Sequence, residues 1–128
     1  MNDETMAEST ESSGERRSLQ LRRLIRKARE AGTPVGVDVK RNLPRFRYGS
    51  SLEITTNPGV PGQTTTAKFH NVSSGGAAFW SRKPMTPMKQ LFIRCFDEDG
   101  PSEWFPVVVR HCTRGIMGFL VGVEFQSD

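Results

Sequence analysis

The chain has 128 residues, of which 35% are hydrophobic, and a formal net charge of +4 at pH 7. The length predicts one domain, and the low hydrophobic content indicates a small core with a polar appendage. No run approaches the ~20 apolar residues of a membrane span, and the N-terminus lacks the apolar segment of a signal peptide, so we expect a cytoplasmic protein.

The cysteines, Cys95 and Cys112, each lie in an apolar, strand-like run. Two cysteines do not make a disulfide framework, and their spacing relative to His70 and His111 is not typical of a zinc site. We therefore expect buried, reduced thiols, with no metal and no other cofactor.

The N-terminal third is predicted to hold one basic helix behind a disordered segment. Residues 1–14 offer little to bury, which predicts disorder. Over residues 15–32 apolar side chains recur at helical spacing among arginines, and Gly32 and Pro34 give a stop signal. A capping-box pattern, S-x-x-E, precedes the helix. Its apolar stripe consists of Leu21, Leu24, Ile25, Ala28 and Ala31.

Residues 50–126 change to a hydrophobic period of two, with turn-forming clusters between short apolar runs. This pattern predicts a small antiparallel barrel or sandwich, and a closed barrel would leave no open sheet edge. We expect Trp80 and Trp104 to pack in the core or at its rim. The alternating sets are Leu91, Ile93 and Cys95 in one strand and Phe119, Val121, Val123 and Phe125 in another, with Phe69 and Phe79 as further core residues.

Residues 33–49 are predicted to form an extended arm that carries Arg41 and Arg45 at R-x-x-x-R spacing. Pro44 disfavours a regular helix and biases the residue before it towards an extended conformation. Arginine grips phosphate, stacks on planar rings and recognises guanine in bidentate fashion. The pair therefore suits an anionic ligand that contains guanine, although a solvated charge cluster would give the same pattern.

The segment HNVSSGG, residues 70–76, joins polar side chains to two glycines. Asn71 and Ser73 alternate along a strand end, so we expect their side chains on the same face. Gly75 and Gly76 would allow a positive φ and a close approach of a ligand to the backbone amides. An ordinary turn has the same composition, so this segment alone leaves both interpretations open.

An ordered set of four motifs resembles the PilZ domain, a receptor module for the bacterial second messenger cyclic di-GMP. The set comprises R-x-x-x-R at Arg41 and Arg45, N-x-S-x-x-G at Asn71, Ser73 and Gly76, the run VVVR, and the closing VGVEF. The resemblance covers about residues 38–126 and implies a mainly β fold, a six-stranded antiparallel barrel.

The resemblance also implies the binding roles. Arg41 and Arg45 would contact the guanines and phosphates, Asn71 and Ser73 would approach the ligand from the barrel surface, and Gly76 would permit the turn. Asn at position 71 lies within the family pattern. Lys40, Arg47 and Gly75 are auxiliary candidates, and His70 adjoins the motif.

We expect a binding module and not an enzyme, since the sequence has no nucleophile elbow, no metal-ligand spacing and no carboxylate pair in an apolar frame. The predicted function is a cyclic di-GMP receptor or adaptor that signals to a protein partner. Two alternatives stay open: a PilZ-like interaction module that binds no nucleotide, and a basic barrel that binds nucleic acid.

Overall fold

Helix and strands follow each other in the computed structural model, which describes residues 13–38, 43–60, 62–97, 99–116 and 118–126. The helix begins at Ser13, two residues before the predicted start at residue 15, so residues 13 and 14 are helical and not disordered. The rest of the segment predicted to be disordered, residues 1–12, lies outside the described residues. The elements are α1 (Ser13–Ala31), β1 (Thr33–Asp38), β2 (Leu43–Arg47), β3 (Ser51–Thr55), β4 (Thr65–Ser73), β5 (Gly76–Ser81), β6 (Gln90–Asp97), β7 (Gly100–Pro101), β8 (Phe105–Gly115) and β9 (Gly118–Phe125).

Six of these strands close into an antiparallel barrel, as predicted. Around the barrel the order is β4, β3, β6, β8, β9 and β5, and the pairing of β5 with β4 completes the circle. Closure gives each of the six barrel strands a hydrogen-bonded neighbour on both sides, which removes the open edges of the barrel itself; β1 lies at the end of the sheet, beside β2. The short strand β7 pairs only with β6.

The barrel interior is filled by every second residue of its strands. Leu91 and Ile93 are buried, and Cys95 packs against the same core. Phe69 and Phe79 are buried too, while Phe125 meets Phe105 edge-on with 6.5 Å between ring centroids. The period-two pattern therefore identified the inward face.

The segment before the barrel, which we predicted to be an extended arm, forms a hairpin of two strands, with a register shift in β1 between Pro34 and Gly36. β1 pairs with β2, and β2 continues onto β4 through three residue pairs, from Arg45 opposite Ser73 to Arg47 opposite Asn71. Pro44 precedes the first residue that pairs with β4, where its missing N–H costs no bond to that strand.

Helix α1 packs on the barrel with its apolar stripe. Leu24 and Ala28 belong to the same buried cluster as the barrel residues. Polar contacts join the side of the helix to residues at and after the end of β6. Arg23 Nη1 lies 3.0 Å from Asp97 Oδ2, and Gln20 Oε1 accepts the backbone N–H of Glu103 at 2.8 Å. No helix in the described ranges has the length and apolar character needed to cross a membrane.

Glycine ends the helix for a packing reason. A Cβ on Gly32 would overlap the carbonyl oxygens of Arg47 and Ala28. The end of α1 therefore lies directly against the last residue of β2, and the helix, the hairpin and β4 are in contact along one side of the molecule.

Replacing Leu24 by Ala should reduce the free energy of unfolding by about 2–4 kcal/mol, because it leaves a cavity in the shared core. Leu19→Ala is the matched control on the same helix, since Leu19 is 51% exposed and Leu24 is 4% exposed; it should cost less than about 0.5 kcal/mol. Urea denaturation measures both. If Leu24→Ala were as stable as the unmodified protein, α1 would not unfold together with the barrel.

The pKa of Asp97 lies below its ordinary value of 3.8, first because the carboxylate accepts the backbone N–H of Asp99 and second because it pairs with Arg23. Ionised Asp97 therefore stabilises the fold above about pH 4, and this contribution is lost as pH falls through the lowered folded-state pKa. Asp97→Asn should cost at most about 1 kcal/mol near neutral pH, the range of solvated ion pairs.

Denaturation of Asp97→Asn and of the unmodified protein between about pH 7 and pH 2 measures this difference. The two stabilities should converge at the acid end. A difference that stays constant over the whole range would rule out the ionised carboxylate as its cause.

Candidate functional site

Two β-bulges decide which side chains reach the outer face of the barrel. In β4 the register shifts between Phe69 and Asn71, and in β8 it shifts between Val109 and His111. Phe69 and Val109 point into the core, so strict alternation would turn the residues two positions later inward as well. The extra residue in each strand reverses this, so that Asn71 and His111 lie on the outer face. His111 is exposed there, whereas Asn71 is 9% exposed and the nearby Ser73 is 5% exposed.

The two bulges bring Asn71 and His111 into one line across the sheet. Residues directly opposite each other in an antiparallel pair lie on the same face. We call this line the bulge row: Arg47 on β2, Asn71 on β4, Ala78 on β5, Gly122 on β9 and His111 on β8.

A second line, the turn row, runs beside it on the same face. It consists of Arg45 on β2, Ser73 on β4, Gly76 on β5, Glu124 on β9 and Val108 on β8. Arg45 lies opposite Ser73, and Glu124 lies between Gly76 and Val108. Ser73 and Gly76 meet across the turn between β4 and β5. Arg45, Arg47, Asn71 and Ser73 therefore share the outer face, while Phe46, the residue between the two arginines, lies opposite the buried Val72 and packs against the core.

The hydroxyl of Ser73 holds the turn together. Its Oγ accepts the backbone N–H groups of Gly75 and Gly76, both at 3.2 Å, and donates to the carbonyl of Gly76 at 3.3 Å. The carbonyl of Gly75 accepts the N–H of Phe125 at 3.0 Å. The N–H groups that we expected to face a ligand are thus bonded to Ser73.

Gly76 is required for space and not for a left-handed conformation. Among the described residues the glycines with positive φ are Gly62, Gly100 and Gly118, so our expectation of a positive φ in this turn was wrong. A Cβ on Gly76 would overlap the carbonyl oxygen of Val123. The tight approach of β5 to β9 therefore selects glycine here.

Among the residues of the two rows, one is a carboxylate, Glu124, and it is paired. Glu124 Oε1 lies 2.9 Å from Arg110 Nε. Arg110 is the extra residue of the β8 bulge, so the same irregularity that turns His111 outward also supplies the cation for Glu124. The pair reduces the repulsion that an anionic ligand would meet beside Ser73 and Gly76.

Part of the predicted site lies outside the described residues, namely Lys40 and Arg41. The other predicted residues, Arg45, Arg47, Asn71, Ser73, Gly75 and Gly76, lie on or beside the two rows. Sequence reasoning missed Ala78, Gly122 and His111. One signal was present, since a glycine inside an apolar strand, as in VGVEF, often marks a close approach of another group.

The two tryptophans occupy positions at the rim. Trp80 meets His70 edge-on, with 5.6 Å between ring centroids, just beyond the bulge row. The guanidinium of Arg94 lies over the ring of Trp104, with Arg94 Cζ 4.4 Å from the ring centroid. Both indole rings are half-buried. Neither tryptophan is part of the two rows.

The chain matches a protein family and resembles solved structures. The PilZ domain family matches residues 39–128. Among solved structures, the PilZ domain of CeSA from a cellulose-synthesizing bacterium is 16% identical, with a TM-score of 0.51 over 66% of this chain and 81% of that one. The Bacillus subtilis inhibitor of motility, MotI/DgrA, is 16% identical, with a TM-score of 0.54 over 68% of this chain and 43% of that one.

No curated protein matches the chain. At 16% identity the two solved structures show that the fold is shared, and the family match extends over the whole barrel and the R-x-x-x-R segment. The chain belongs to the PilZ domain family, a family of cyclic di-GMP receptors whose members are regulatory binding modules.

Proposed function

We propose that this protein is a cyclic di-GMP receptor that binds its ligand on the outer face formed by the bulge row and the turn row. Binding there would change the arrangement of β2 and helix α1 that a protein partner in the cytoplasm recognises.

The observation that carries this proposal is the register between β2 and β4. It puts Arg45 beside Ser73 and Arg47 beside Asn71, with both arginines on the outer face. Two guanidinium groups and an amide next to a tight turn match the chemistry of a ligand with two phosphates and two guanines.

The roles differ among these residues. The guanidinium of Arg45 would bind a phosphate or a guanine edge, and Arg47 would add attraction for the same anion from the neighbouring row. The amide of Asn71 can both donate and accept hydrogen bonds. Since the Ser73 hydroxyl bonds to the turn, we assign Ser73 the role of fixing the turn against which the ligand lies. Arg41 lies outside the described residues, and the family resemblance assigns it a contact to the same ligand.

The contact of α1 with β2 supports a route for the signal. The helix ends against the carbonyl of Arg47 at Gly32, so a ligand that moves β2 also acts on the docked helix. A ligand shifts such an equilibrium only as far as it binds one arrangement better than the other. The partner would recognise the arrangement that the ligand favours, and the exposed basic residues of α1, Arg22, Arg26 and Arg29, would be available to it.

Arg45→Ala should weaken the binding of cyclic di-GMP about 10- to 150-fold, since a hydrogen bond to a charged group contributes ~1.5–3 kcal/mol. Isothermal titration calorimetry measures the affinity. Arg114→Ala is the matched control, because Arg114 is exposed near the hairpin that joins β8 to β9 and lies on neither row; its affinity should stay within about twofold.

Absence of heat and of a thermal shift with the unmodified protein at micromolar ligand would contradict the receptor function and favour the interaction module without nucleotide. Retention of a labelled oligonucleotide at low salt, lost steeply as salt rises, would favour the nucleic-acid alternative.

Ser73→Ala should weaken cyclic di-GMP binding about 3- to 10-fold, because two turn N–H groups lose their acceptor and the turn loosens. The neighbouring Ser74 is exposed, so Ser74→Ala is the matched control and should bind normally. The same calorimetry measures both variants. Full affinity in Ser73→Ala would show that the turn bonds do not matter for the ligand.

A further inference from the structure

His111 is positioned by the fold in a way that the motifs do not account for. The bulge in β8 turns it outward, opposite Gly122, and its side chain is exposed. A β-bulge re-aims side chains and is frequent beside functional sites. This bulge has its counterpart in β4, which turns Asn71 outward onto the same row.

Gly122 leaves the space that the imidazole occupies. A Cβ on Gly122 would overlap His111 Nε2 and Cε1, and it would lie 2.9 Å from Cδ2. The ring of His111 therefore reaches from β8 across β9, with its tip above the Gly122 backbone. Beyond Gly122 the next positions on the bulge row are Ala78 on β5 and Asn71 on β4.

The floor between the two polar ends of the row is short, and the ring of His111 already covers its Gly122 end. It consists of Ala78 and Gly122, both buried. Three strand spacings separate β4 from β8, about 14 Å along the surface. A ligand that reached from Asn71 to the imidazole would lie over Ala78, because the ring itself covers Gly122.

We propose that His111 is a further ligand-contacting residue, which closes the far end of the bulge row and hydrogen bonds through Nε2 to bound cyclic di-GMP. This inference rests on the proposed receptor function. It extends the site from β2 and β4 across the barrel surface to β8, so that residues from three separated stretches of the chain hold the ligand.

His111→Ala should weaken cyclic di-GMP binding about 3- to 10-fold, the effect of one hydrogen bond. His111→Gln keeps a nitrogen that can donate at the end of a planar amide and should recover most of the affinity. His111→Phe keeps the ring without the nitrogen and should remain weak. Calorimetry with cyclic di-GMP measures all three on the full chain.

Thr113→Ala is the matched control, because Thr113 lies on the same strand two residues later and pairs with Leu120, off the bulge row. It should bind as the unmodified protein does. Thermal denaturation without ligand checks that each variant is folded.

The outcomes separate this inference from the function on which it rests. If the unmodified protein binds and His111→Ala binds equally well, or if Phe and not Gln restores the affinity, the proposed hydrogen bond is overturned while the receptor function stands. If the unmodified protein does not bind cyclic di-GMP, both fail.

A second readout follows His111 directly. The chain has two histidines, so the imidazole signals in a nuclear magnetic resonance spectrum are few. Addition of cyclic di-GMP should shift the His111 signal, which disappears in His111→Ala. A His111 signal that does not move at saturating ligand would overturn the contact.

Discussion

Closure of six strands around one apolar interior is the constraint on which the rest of this structure depends. Once the barrel is closed, each strand has a fixed inner face, and the outer face becomes the place where polar side chains from distant parts of the chain can meet. The β1–β2 hairpin extends this surface, because β2 pairs with the second half of β4 while β3 pairs with its first half.

The bulges act within that constraint. Each inserts one residue, His70 in β4 and Arg110 in β8, and each inserted residue is itself used: His70 packs against Trp80, and Arg110 pairs with Glu124. The regular pairing between strands is interrupted at each bulge, and Asn71 and His111 lie on the outer face of the barrel as a result. Two local irregularities thus define one continuous row.

Glycines complete the surface for reasons of space. Gly76 lies against the Val123 carbonyl, and Gly122 lies under the His111 ring. At Gly32 the same requirement joins α1 to β2. The candidate binding face and the docked helix are therefore connected through backbone contacts.

The sequence alone determined the family motifs, the basic helix and the inward-facing residues of the barrel. These depend on local periods, and a period of two or 3.6 is visible in the order of residues. It also predicted that Asn71 and Ser73 share a face with each other.

Only the tertiary structure decided how that face is built. Phe69, Asn71 and Ser73 lie two residues apart in turn, yet Phe69 belongs to the apolar core while Asn71 and Ser73 lie on the other face of the sheet, where they too are buried. No local pattern predicts the bulge between Phe69 and Asn71. The reach of His111 over Gly122 and the pairing of Arg45 with Ser73 join residues far apart in the chain. Strand register and closure set such contacts, and both follow from packing the whole barrel, which the order of residues within any one segment does not encode.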